Sequence, residues 1–380
     1  MRLLFRIVAA VLLAALLVVL AIWLKFGFGD SMVDLTTDPV LPASALERVA
    51  DLNYPPGNIA VSPDGRVFFT LHPDGDPPGK VYELVDGKPR PYPNAAFQHR
   101  RKDEPFFDTI LSLRIDRQNR LWTLDYARFG RGVPRLLAFD LTSGRVVHEY
   151  RFPSRVAGFG SMLNDFQIAP DGNHIYIAET SPLVHHPALI VYDIVSRKSR
   201  RVLDRDRSVV PHNFVIHAPG RDMLIYGIYN LRIGVDSIAL DRHGEWLYYG
   251  PVSGDRLYRI RTRDLNDPKL DNTVLSARVE DFARKPLTDG LTTDVDDNIY
   301  LTDMEHSAIL RLGQNRQLTT LLKDARLRWP DGFSFGPHGW LYVTCSSLQH
   351  VLFVPKSRMR AHAPYQIFRF RPGVKGIPGQ

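Results

Sequence analysis

The chain has 380 residues, 44% of them apolar, and carries a net charge of +7. That apolar share excludes a disordered chain, and 28 prolines with 27 glycines favour many short strands and turns over long helices. The single cysteine, Cys345, excludes an intramolecular disulfide, and no group of Cys or His has zinc spacing.

From Ile7 to Leu24 the sequence reads IVAAVLLAALLVVLAIWL, 18 residues without a charge, flanked by Arg2, Arg6 and Lys25. About 20 apolar residues cross the hydrocarbon core of a bilayer as a helix. A cleavable signal peptide has a shorter apolar region and an A-x-A-like site, and LKFGFGDSM after Trp23 has none. Residues 1–29 therefore read as a transmembrane signal anchor, with a cytoplasmic N-terminus and an extracytoplasmic body; cleavage and secretion is the alternative. Residues 30–44 read as a linker and 45–362 as the folded body. Residues 363–380 read as a basic tail that adds an extra strand through Ile367 to Phe370 and then frays.

The body repeats itself. Related units begin GNIAVSPDGRVFFTLH at Gly57, LSLRIDRQNRLWTLD at Leu111 and NDFQIAPDGNHIYIAET at Asn164. Three more begin DSIALDRHGEWLYYGP at Asp236, DGLTTDVDDNIYLTD at Asp289 and DGFSFGPHGWLYVTC at Asp331. Each holds a short apolar run, a polar turn and a second run rich in Tyr, Trp and Val. A third run follows, as in RLLAFD (135–140), AILRL (308–312) and, in the last unit, HVLFV (350–354). The starts lie 54, 53, 72, 53 and 42 residues apart. Four strands per unit at this period predict an all-β protein, a six-bladed β-propeller preceded by the N-terminal transmembrane helix. The long third step predicts an insertion around 205–232. LERVADL (46–52) resembles an outer strand and is expected to complete blade six. Cys345, in LYVTCSS, reads as a small buried strand residue.

Basic clusters at 99–102, 196–207 and 356–360 are scattered, so a solvated face near anionic lipid explains them better than nucleic acid does. The acidic cluster at 294–297 reads as turn punctuation: Asp294, Asp296 and Asp297 lie between two strands. An EF-hand would need Gly at its sixth position, and counting from Asp294 that residue is Ile299.

In a propeller blade the innermost strand runs from one face to the other and the second runs back. The residues before each first strand therefore ring the axis: Gly57, Leu111, Asn164, Asp236, Asp289 and Asp331. The residues ending each second strand form a wider ring on the same face: His72, Asp125, Glu179, Gly250, Asp303 and Cys345. Converging carboxylates raise one another's pKa or demand a cation. Asn164, Asp236, Asp289 and Asp331 form an oxygen-only set suited to calcium, which takes six to eight oxygens at about 2.3–2.6 Å. The competing reading is structural, because Asp before Gly at a strand start is also a turn device.

The stretches GVDSIALDRHGEWLYYGPVSGDRLYRIRTRDL (234–265), GSMLNDFQIAPDG (160–172) and NRLWTLDYA (119–127) resemble the major royal jelly/yellow protein family. That family is similar in fold to the senescence-marker-protein/gluconolactonase-like propellers. The resemblance implies one divalent cation, usually calcium, at the top of the central tunnel, held by Glu, Asn, Asn and Asp. Asn164 matches one asparagine, Asp236 takes the place of the other, and Asp289 matches the aspartate. Gly57, with Asn58 beside it, stands where the glutamate is expected. Two functions remain open. One is a metal-dependent hydrolase of lactones or related esters. There Asp289 or Asp236 serves as ligand and base, His306 shuttles a proton, and Asn58, His72, Asp125, Glu179 and Asp303 contact substrate. The plain alternative for His306 is a surface histidine in a solvated loop. The other function is non-catalytic binding of a small ligand by aromatics such as Tyr126, Phe129, Tyr249 and Trp329, whose plain alternative is blade-to-blade packing. A dopachrome-type tautomerase is a further option that rests on the resemblance alone.

Overall fold

The computed structural model describes residues 1–102 and 104–380. Six four-stranded antiparallel sheets stand around one axis. Blade one is Pro56–Val61, Val67–Leu71, Val81–Val85 and Lys88–Pro91. Blade two is Ile110–Ile115, Arg120–Asp125, Arg135–Asp140 and Val146–Arg151. Blade three is Leu163–Ile168, His174–Glu179, Ala188–Asp193 and Lys198–Val202. Blade four is Val235–Leu240, Trp246–Pro251, Arg256–Arg261 and Glu280–Arg284. Blade five is Leu291–Thr293, Ile299–Asp303, Ala308–Leu312 and Leu318–Lys323.

Burial falls from the axis outward, and the residue types follow. Every residue of Pro56–Val61, Ile110–Ile115 and Val235–Leu240 is buried, whereas every residue of Lys88–Pro91 is exposed. An inner strand is covered on both faces by neighbouring blades, so it carries a continuous apolar run. Hydroxyls bind blade to blade at the upper face. Thr70 Oγ1 donates to Leu111 O at 2.7 Å, and Thr180 Oγ1 donates to Val235 O at 2.9 Å. Thr344 Oγ1 donates to Gly57 O at 2.5 Å, closing the circle between blades six and one.

Blade six corrects the sequence reading. Its strands are Pro330–Phe335, Leu341–Cys345, Tyr365–Phe370 and Glu47–Leu52. The N-terminal strand is the outermost one, as its sequence suggests. The third strand, however, is the expected tail and not HVLFV. Residues 348–350 form a single 3-10 turn instead. Phe368 and Phe370 are buried between the sheets, a burial that HVLFV, pinned to the loop above the axis, does not reach. The last residues do not fray either. Val295 N donates to Lys375 O at 3.0 Å, Ile115 N to Gly379 O at 3.1 Å and Phe335 N to Gln380 O at 2.9 Å. The C-terminal segment thus crosses the lower end of the tunnel.

Residues 30–44 are also not a free linker. Asp30–Ser31 pairs in parallel with Phe214–Val215, and the amides of Val40 and Leu41 donate to Thr320 O and Leu321 O on blade five. The insertion between blades three and four lies on the upper face. Its Ile216, Ala218 and Met223 pack with Val252, Leu287, Met304, Trp329 and Leu348 above blades four to six. Arg2–Phe26 is one helix with no buried residue, long and apolar enough to cross a membrane.

Candidate active site at the upper mouth of the tunnel

At the upper ends of the inner strands of blades five and six the neighbouring backbone comes very close, and Asp-Gly pairs stand at these points. A Cβ on Gly290 would lie 1.7 Å from Asp331 O, and one on Gly332 would lie 2.9 Å from Asn58 Cα. Glycine lets the blades close, and the preceding aspartate is left pointing over the axis. The Ser112 hydroxyl donates to Asn164 O and the Ser237 hydroxyl to Asp289 O, so each backbone is held by the blade before it.

These side chains line a cavity of about 380 Å³. Its floor carries Asn58, Asn164, Asp165, Asp236, Asp289 and Asp331; its wall includes His72, Phe129, Leu183, Leu352 and Phe353. Asp165 and Arg114 are additions to the sequence reading. Arg114 is 2% exposed and its guanidinium donates to Asn58 Oδ1 and, at 3.2 Å, to Asp165 Oδ2. Asn58 Nδ2 donates to Asp165 Oδ1 at 2.8 Å. An arginine within the apolar run LSLRI was the available signal.

Four carboxylates therefore share the floor with one guanidinium. Burial first, then the charges of Asp289 and Asp165, hold the Asp236 carboxyl well above its ordinary value. Burial and the Asp289 carboxylate do the same to Asp331. Asp289 is pushed up to about 6 by burial, although Trp329 Nε1 donates to its Oδ2 at 2.6 Å. Burial raises Asp165, against the pull of Arg114. The floor is short of positive charge.

The wider ring behaves differently. His72 lines the cavity, and burial lowers its pKa. The Asp74 amide donates to His72 Nδ1 at 3.3 Å, which leaves the neutral ring's proton on Nε2. Asp125, Glu179, Asp303 and His306 lie outside the cavity. Asp125 accepts the amides of Asp108, Thr109 and Ala127, Glu179 accepts that of Met162, and Asp303 accepts those of Glu305 and His306. The end of a second strand is one layer back from the axis, so its carboxylate folds the local loop and does not reach the tunnel. Among the aromatics Phe129 lines the cavity, while Tyr126 and Tyr249 are packed in the sheets.

His306 instead stands between Asp303 and Asp34. Its Nδ1 is 2.9 Å from Asp303 Oδ2 and its Nε2 is 3.5 Å from Asp34 Oδ2. Among the described residues this is the group of three acidic or histidine side chains whose ligand atoms lie within 4.8 Å of one another. The two ring nitrogens face opposite ways, so the group bridges blade five to residues 30–44 and does not enclose a point.

The family model described as Major royal jelly protein matches residues 109–333, blades two to five and the start of the first strand of blade six. The chain belongs to the major royal jelly protein family. Major royal jelly proteins 3 and 2 of Apis mellifera are 24% and 26% identical to it over 54% and 52% of the chain. The matches span 39% and 45% of those relatives, less than half of their length. Solved structures similar in fold include a gluconolactonase from Xanthomonas campestris, with a TM-score of 0.54, 14% identity, and coverage of 90% of this chain and 98% of the other. A calcium-binding regucalcin from Agrobacterium tumefaciens has a TM-score of 0.53 and 13% identity, covering 88% and 96%. A luciferin-regenerating enzyme has a TM-score of 0.54 and 13% identity, covering 88% and 97%. At these identities the structures speak for the propeller fold.

The floor of this family member suits a hard divalent cation in chemistry, because Asn164, Asp236 and Asp289 offer oxygen ligands and the carboxylates are raised in pKa by burial and by neighbouring carboxylates. Among the described residues no three axial carboxylates bring ligand atoms within 4.8 Å of one another, so a cation there would also draw on the amide oxygen of Asn164. Asn58, at the departure from the lactonase pattern, is committed to Arg114.

Proposed function

We propose that this royal jelly family member is a hydrolase of lactones or related esters that uses one divalent cation, calcium, held by Asn164, Asp236 and Asp289. The observation that carries the reading is the buried floor of four carboxylates with one guanidinium, at the base of an apolar-walled cavity of small-molecule size. When bound, the cation would polarise a carbonyl oxygen and favour ionisation of water at the site. The chain's residues do the rest. Asp331 is the one axial acid outside that set and not bonded to Arg114 or Trp329, so it is the carboxyl on the floor left to exchange a proton with the substrate. His72 presents Nε2–H to an oxygen of the substrate. Phe129, Leu183 and Phe353 exclude water around the ring. The anchor helix would hold the body at the outer face of a membrane.

A second reading, a binding protein without catalysis, draws support from Arg114, which already supplies an internal counter-charge and stands beside the missing glutamate position. The metal content of the purified full chain separates the two. The hydrolase reading expects about one calcium per chain, turnover of a simple lactone and loss of both in Asp289→Ala. A chain that retains no ion and whose melting ignores added calcium would sink it. Ligand-dependent stabilisation without product would establish the binder.

A further inference from the structure

The apolar side chains around the cavity mouth are more than its wall. Leu183 is 51% exposed and Phe353 49% exposed. Tyr226, 80% exposed at the tip of the hairpin formed by Leu224–Ile225 and Tyr229–Asn230, stands with its ring 6.4 Å from that of Phe353. On the far side of the mouth Phe159 and Val184 are exposed beside Gly160, whose amide donates to Phe129 O. Water-facing aromatics and aliphatics gathered around one cavity mouth are costly unless something covers them.

The same hairpin holds the end of the N-terminal helix. The rings of Phe26 and Tyr229 are 5.3 Å apart, and the Arg232 guanidinium lies 5.7 Å from the Phe26 ring. Asp30 is already fixed to the backbone of the insertion on this face, its amide donating to Asn213 O at 2.7 Å. The residues between Phe26 and Asp30 extend about 14 Å at most. A bilayer that takes up the helix must therefore lie against this face, and the lower face, crossed by the C-terminal segment, must look away. Charge agrees. Arg221 and Arg358 line a depression beside Phe353 with His350 and His362. Arg221 donates to the carbonyls of Gln349 and Leu352, both at 2.8 Å, which leaves its charge uncompensated.

We propose that the cavity mouth docks on an anionic phospholipid bilayer, with Tyr226, Phe353 and Leu183 at headgroup depth and Arg221 and Arg358 on lipid phosphates. The ligand of the axial site then enters from the interface, as an amphiphile whose polar end reaches the acidic floor. Interfacial aromatics and basic residues near anionic headgroups are the chemistry such docking uses. The inference rests on the helix being an anchor and is independent of catalysis.

The test uses the full chain in vesicles of phosphatidylcholine with phosphatidylglycerol. Tyr226→Cys and, on the lower face, Ser143→Cys are each labelled with an environment-sensitive dye; Cys345 is buried and stays unlabelled. Quenching by nitroxide-bearing lipid should be several-fold stronger at 226 than at 143, and weaker in vesicles of phosphatidylcholine alone. Equal quenching at both positions, in chain that resists alkaline extraction, would overturn the docking and leave the anchor standing. Release of the chain by alkali would overturn anchor and docking together. Activity is not read, so the hydrolase reading stands or falls separately.

Discussion

Gly290 shows how a single residue is set by convergence of the blades. With a Cβ 1.7 Å from Asp331 O, Gly290→Ala must push two inner strands apart at the axis. A loss of about 3 kcal/mol or more follows from overpacking at a site that cannot relax, measurable by denaturant unfolding. Glu179 is the clearest titration outside the floor. It is fully buried, its pKa is pushed up to about 7 by burial, and its Oε2 has no hydrogen-bond partner among the described residues. The native chain therefore holds a proton there that the unfolded chain releases near about 4.5. The stability this proton supports is fully present below about pH 4.5 and lost as pH rises through about 7. Glu179→Gln should flatten the pH dependence of stability across that window, by about 3 kcal/mol as an upper bound. An unchanged slope would show that the carboxyl is ionised when buried. Both residues were visible in the sequence as strand-end positions. Their burial was not, because depth from the axis depends on the neighbouring blades.

At the scale of elements, blade six is the informative case. Glu47–Leu52 and Tyr365–Phe370 are about as far apart in the chain as two strands can be, yet they pair along their length. The β-type run at 46–52 was legible as an outer strand because its own pattern gives it away. The run at 350–354 had the same character and was misplaced, since periodicity reports strand tendency and not which edge a strand finds. Phe368→Ala should cost about 3–5 kcal/mol, the price of a large cavity between sheets. Deleting residues 373–380 should cost less, because that segment makes a few backbone bonds at the lower mouth. The reverse order in thermal unfolding would restore the reading of 363–380 as a dispensable tail. The wider-ring carboxylates follow the same rule: sequence spacing placed them on the correct face, but the loop each one folds decided that they point away from the tunnel.

At the scale of the molecule, the floor belongs to no single blade. Asn58, Arg114, Asp165, Asp236, Asp289 and Asp331 come from blades one, two, three, four, five and six, so the site exists only when the circle is closed. A cation held there, as proposed, would bind the folded chain and not the unfolded one. At a calcium concentration about 100 times Kd, calcium should add about 2.7 kcal/mol to global stability, read as a rise in Tm that chelation reverses. Arg114→Ala, which removes the internal counter-charge, should lower stability by about 3–5 kcal/mol without calcium and regain part of it with calcium.

The sequence by itself determined the repeat, the number of blades, the apolar N-terminal span and the ring of residues at the start of each inner strand. Those features are periodic or local, and periodicity survives in one dimension. Only the tertiary structure decided that residues 365–370 supply the third strand of blade six, that Arg114 and Asp165 join the floor, that His306 bridges to Asp34 instead of facing the axis, and that helix, hairpin and cavity mouth share one face. Each of these depends on which chemically suitable group lies within a few ångströms of another after six sheets have closed, a distance that sequence separation does not encode.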